Sequence, residues 1–116
     1  SEIDIIRDVT VPSSIELAAN GSNADTGFQV DTTLYNQVIM DYSLESTSGV
    51  RMGQLRFATD TSASTSTIDD YYTETAAVGI TFSVNIATAN TMKLKYTDAD
   101  NKICKFKYTY QLWNSN

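Results

Sequence analysis

The chain contains no histidine among its 116 residues. That removes the usual general base, the Ser-His and Cys-His nucleophile systems and the commonest zinc ligand. Cys104 is the single cysteine, so no internal disulfide can form, and one thiol suits folding in a reducing compartment. Basic residues are few: eight Lys and Arg against fourteen Asp and Glu leave a net charge of −6. General nucleic-acid binding needs a basic footprint and is therefore not expected. No apolar run reaches the roughly 18 residues of a membrane span, so no membrane partner is expected, and no signal-peptide pattern is present. Ser1 at the start fits either a removed initiator Met or a piece of a longer protein. Proline is limited to Pro12, leucine is sparse and strong helix formers are scarce.

What remains is rich in Ser, Thr, Ile, Val and Tyr, the composition of an all-β domain. The clearest strands alternate with period two. Ile80, Phe82, Val84 and Ile86 share one face, as do Met92, Leu94 and Tyr96. Cys104, Phe106, Tyr108, Tyr110 and Leu112 form a long apolar face. Val38, Met40, Tyr42 and Leu44 face one way and Asp41, Ser43 and Glu45 the other, while Leu55 and Phe57 form an inward pair. Further strands are expected over Glu2–Val11, Ile15–Ala18, Gly27–Val30 and Ile68–Thr73, and the stretch from Asp31 to Gln37 suits a single helical turn capped by Asp31. Turn-rich ANGSNADTG (Ala19–Gly27), polar TDTSASTST (Thr59–Thr67) and tight DADN (Asp98–Asn101) separate them. About eight strands at this spacing predict a two-sheet antiparallel β-sandwich, jelly-roll or immunoglobulin-like. Residues 26–116 would form the sandwich and residues 1–25 an N-terminal arm or strand.

The four lysines at alternate positions in MKLKYTDADNKICKFKYTY set a sharper expectation. A three-residue hairpin loop with Asn101 in the left-handed conformation puts Tyr96 opposite Cys104 and Leu94 opposite Phe106. The same register gathers Lys93, Lys95, Lys105 and Lys107 into one outward patch. Facing like charges cost roughly 0.2–1 kcal/mol per pair. Solvation and edge protection, with Asp41 and Glu45 as neighbours, account for such lysines without function. A contact surface for an acidic partner, or a phosphate or anionic-glycan site, accounts for them with one.

No constellation carries chemistry. Asp69, Asp70 and Glu74, or Asp98 and Asp100, could in principle serve glycoside hydrolysis or calcium, but neither has a supporting motif. They read as a solvated loop and a polar turn. Cys104 reads as a small core residue. Alternation sends Tyr71 and Tyr72 to opposite faces, so one is expected in the core and the other exposed. Trp113 reads as an edge-packing residue. No catalytic residue, cofactor or metal site is expected.

The run TGFQVDTTLYNQVIMDYSL (Thr26–Leu44) resembles the opening of a small β-domain that recurs in structural proteins of tailed bacteriophages. RMGQL (Arg51–Leu55) resembles that module's Thr-Gly-Gln-Leu strand, and DDYYTETAAVGITFSV (Asp69–Val84) its Tyr-Thr-Glu-Thr-Gly stretch. LKYT and CKFKYTY resemble its last two strands. The likeness covers about three-quarters of the chain, Thr26 to Tyr110. Met52 stands where Thr is usual, Ala76-Ala77 replaces a Gly-rich turn, and the first 25 residues have no counterpart. The resemblance implies a non-enzymatic β-sandwich of the virion, made in the host bacterial cytoplasm. The expected role is a capsid-associated, decoration or fibre component, with other virion proteins and itself as partners and a homo-oligomer such as a trimer as the assembly. A receptor- or glycan-binding module of a tail fibre, contacting a host surface glycan, and an accessory domain of a hydrolase are the alternatives. Outside the matched stretch, Ile3, Ile5, Val9 and Val11 belong to a segment too apolar for an idle tail. With the four lysines they are the expected interface residues.

Overall fold

The computed structural model describes residues 13–60, 65–88 and 90–114. These form eight strands and no helix: β1 (Ser13–Leu17), β2 (Ala24–Asp31), β3 (Tyr35–Glu45), β4 (Val50–Asp60), β5 (Thr65–Glu74), β6 (Ile80–Thr88), β7 (Thr91–Asp98) and β8 (Cys104–Asn114). A five-stranded sheet in the order β1-β8-β3-β4-β5 faces a three-stranded sheet in the order β2-β7-β6, with every pair antiparallel. This is the expected two-sheet sandwich. The nested pairing of β1 with β8 and β2 with β7 follows jelly-roll winding, from which the β3-β4-β5 meander departs.

Period-two alternation positions the core. On β3, Val38, Met40, Tyr42 and Leu44 are all buried, and opposite them lie Leu55 and Phe57 of β4 and Phe106 and Tyr108 of β8. Met92, Leu94 and Tyr96 of β7 close the other side, with Phe82 of β6. Val84 is only partly buried and packs against this cluster. A chain of edge-to-face rings fills the layer between the sheets. Phe28 meets Phe57, Tyr108 and Tyr110, with centroids 6.1, 5.6 and 5.0 Å away, and Tyr42 meets Phe82 at 5.3 Å. Each such pair adds about 0.5–1.5 kcal/mol to its burial. Cys104 is a buried core thiol, its pKa raised mainly by desolvation.

Three expectations about connections are corrected. First, DADN does not close a hairpin: β7 lies in the three-stranded sheet and β8 in the five-stranded one. Asn101 does take the left-handed conformation (φ 59°), but the chain arches between sheets. The Asp98 N–H donates to the Gly21 carbonyl (2.8 Å) and the Ala99 N–H to that of Gly79 (2.8 Å). The buried Asp98 carboxylate then accepts the N–H groups of Asp100, Asn101, Lys102 and Asn20 at 2.9–3.2 Å. Second, the segment after Asp31 is a β-turn, not a helical turn. The Leu34 N–H returns to the Asp31 carbonyl (3.1 Å), while the Asp31 carboxylate accepts the Thr33 N–H (2.9 Å) and hydroxyl (2.7 Å), which lower its pKa. Third, β4 reaches Asp60 and β5 starts at Thr65, so both ends of the polar Thr59–Thr67 stretch are strand, while residues 61–64 lie outside the described residues.

Within the first 25 residues, Ser13–Leu17 pairs with β8 of its own sheet and Leu17 is buried. The expected Glu2–Val11 strand, Pro12 and the interface residues Ile3, Ile5, Val9 and Val11 lie outside the described residues.

Candidate interaction surface

The arch separates the four lysines. Lys93 and Lys95 stand on β7, opposite Gln29 and Asp25 of β2 and Asn85 and Ser83 of β6. Lys105 and Lys107 stand on β8, Lys105 between Glu16 and Glu45, and Lys107 between Ser14 and Ser43. The two pairs occupy the outer faces of different sheets, so the single patch is corrected. The physical reason is legible in the partners. A hairpin would set Lys against Lys, whereas here Lys105 has a carboxylate on either side and Lys93 reaches Asp25 at 3.6 Å.

The acidic residues also move. Asp69 and Asp70 lie on β5 rather than in a loop, on opposite faces of it. Asp98 is occupied by backbone donors, and among the described residues no group of three His, Cys, Asp or Glu side chains could hold a metal ion. Alternation of Tyr71 and Tyr72 holds, but neither enters the core: they are 80% and 45% exposed. The cause is architectural. Five strands oppose three, so β5 lies at the edge of the larger sheet, and its pattern of burial contains no buried residue.

That edge has an unusual support. Arg51 of β4 points inward and is only 3% exposed. Arginine is seldom buried unless paired, and here Nε, Nη1 and the face of the guanidinium all have partners. Nε donates to Glu74 (3.0 Å), Nη1 donates to the Ile80 carbonyl (2.9 Å) and lies 3.7 Å from Asp70, and the guanidinium sits 3.9 Å above the centre of the Tyr72 ring. The Tyr42 hydroxyl completes the cluster by donating to Asp70 (2.6 Å). Burial raises the Asp70 pKa, opposed by the Tyr42 hydrogen bond and Arg51. Burial and the Asp70 carboxylate raise that of Tyr42, which stays a hydrogen-bond donor. Burial works against the Arg51 charge, but Glu74 and Tyr42 outweigh it and its pKa rises. The cluster pins β5 to β4 from inside while leaving Tyr71, with Met52 diagonal to it, standing out from the opposite face.

No protein-family model matches this chain, and no curated protein matches it. The surface must therefore speak through its own residues. The far side of β5 is paired with no described strand. Along it, Tyr71 projects from the outer face beside Met52 (67% exposed), and Tyr72 from the inner face against Arg51. Tyr, Met and Arg are the side chains enriched in protein interfaces. Reading the sequence alone missed Arg51. The signal was available: it is a charge at the inward phase of a strand that continues to Leu55 and Phe57, and Asp70 and Glu74 hold the inward phase of the next strand.

Proposed function

We propose that this protein is a non-enzymatic structural component of a tailed-phage virion, capsid-associated or fibre-associated, that acts by protein–protein contact through the β5 edge. The observation that carries the reading is the edge itself: a ten-residue strand with one side paired to no described strand and an exposed Met52–Tyr71–Tyr72 fringe, braced from within by Arg51. A strand edge of this kind supplies backbone donors and acceptors to an added strand, and the alternating tyrosines supply specificity. The resemblance of Thr26–Tyr110 to a recurrent phage module supports the virion setting, and the β-sandwich suits it. Asp69 and the half-buried Asp70 and Glu74 restrain indiscriminate pairing, since charges along an edge disfavour it.

The test is Tyr71→Ala combined with Met52→Ser. Sedimentation measures self-association, and immunoelectron microscopy locates the protein on purified particles. The double variant should unfold at an unchanged temperature yet associate about tenfold more weakly or worse, as when an exposed anchor is truncated. A native protein that is absent from particles, or a variant that assembles like the native chain, refutes the proposal.

A further inference from the structure

A second surface lies at the other end of the same outer face. Pairing registers align Trp113, Gln37, Ala58 and Thr67 in one row across β8, β3, β4 and β5, and Gln111, Ile39, Arg56 and Asp69 in the next. Ala58 is small, and a shallow open groove of about 410 Å3 lies over these rows. Its floor is Ile39, Ala58 and the side of Trp113, which is 43% exposed although nothing in a sandwich core requires an indole on the solvent face. Its rim is polar. Gln37 and Thr67 carry donors and acceptors, and Arg56 and Asp69 oppose each other at 4.0 Å, so the rim has both signs and no local net charge.

We infer that this groove is a binding site for a neutral saccharide, with Trp113 as the stacking platform. A sugar ring has an apolar face of C–H bonds and an edge of hydroxyls. It matches an aromatic surface flanked by amide, hydroxyl and ion-pair groups, and an open groove leaves room for one sugar unit of a chain lying along the sheet. The balanced Arg56–Asp69 pair selects against a strongly charged ligand. A protein partner is the poorer match, because a stable protein contact covers about 1,200 Å2 or more in total and the apolar floor is only three side chains wide. The inference goes beyond the assembly role and rests on different anchors, Trp113 and Gln37 rather than Tyr71 and Met52, although Asp69 borders both surfaces.

Trp113 is the single tryptophan, so its fluorescence reports on the groove directly. The native protein is titrated with neutral hexasaccharides of glucose, N-acetylglucosamine, galactose and mannose, then applied to an array of neutral and anionic glycans. Saturable fluorescence change with a neutral saccharide is expected. By calorimetry, Trp113→Ala should bind that saccharide about tenfold more weakly or worse, and Gln37→Ala should bind it severalfold more weakly, both with native thermal unfolding. Tyr71→Ala should bind it normally, which separates this site from the β5 edge. No binding of any neutral glycan, binding of anionic glycans alone, or unchanged binding by both groove variants overturns the inference.

Discussion

Replacing Arg51 by Met removes a charge that the fold has surrounded. The guanidinium loses hydrogen bonds to Glu74 and to the Ile80 carbonyl, its approach to Asp70 and its contact with the Tyr72 ring. Taking away one member of a buried ion pair costs about 3–5 kcal/mol, mostly because its partners stay desolvated. Here the partners are not sealed: the Asp70 and Glu74 side chains remain 21% and 20% exposed and can rehydrate. The lower end, about 3 kcal/mol, therefore applies. For a domain of this size that corresponds to a fall of roughly 10–20 °C in Tm, followed by circular dichroism and checked by urea unfolding at neutral pH. Adding Asp70→Asn and Glu74→Gln to Arg51→Met should return at least half of the loss, because the stranded carboxylates are gone. A loss below about 1 kcal/mol in Arg51→Met would refute the reasoning, since it would make this arginine equivalent to a solvent-screened surface charge.

Two further outcomes follow from the same region and from the arch. Burial lifts the Asp70 pKa above its ordinary 3.8, so the group favours folding most below that pH, and the benefit is lost as pH rises through its native pKa. Asp70→Asn cannot ionise and still offers an acceptor to Tyr42; its Tm relative to the native chain should rise between about pH 4 and pH 7, and a difference that falls over this interval would contradict the assignment. Gly79 has φ +73°, and a Cβ there would stand 2.7 Å from the Asp100 Cβ and 2.9 Å from its backbone nitrogen. Gly79→Ala should cost about 1–3 kcal/mol in urea unfolding through strain at the base of the arch, and a neutral result would mean that the two loops move apart freely.

Alternation is what the sequence displays most openly. It put Tyr42, Leu44, Leu55, Phe57, Leu94 and Phe106 inside because each strand carries its own inward phase. Alternation names a face but not a neighbour, and this is where the reading of the lysines failed. Asn101 adopts the left-handed backbone in the arch as it would in a hairpin, so the residue that argued for the hairpin cannot tell the two apart. The difference is made by the Asp98 carboxylate and by Gly21 and Gly79, which are distant in sequence. The expectation that one of Tyr71 and Tyr72 is core failed for a related reason: Tyr72 has the inward phase, but it lies on an edge strand and stays 45% exposed. The groove at Trp113 depends on residues from four strands, and only the register brings them together.

The position of β8 bears on how the chain reaches its native state. It is the last of the described strands to be synthesised, yet it sits between β1 and β3, from the other half of the chain. Until β8 has emerged from the ribosome, β1 has no described sheet partner and the inner faces of β3 and β4 lack Phe106 and Tyr108. The β3-β4-β5 meander can form early from local contacts, but the sandwich closes only once β8 is available, by pairings that span much of the chain. Nascent chains therefore pass through an interval with a bare apolar sheet, when encounter with a second copy competes with self-closure.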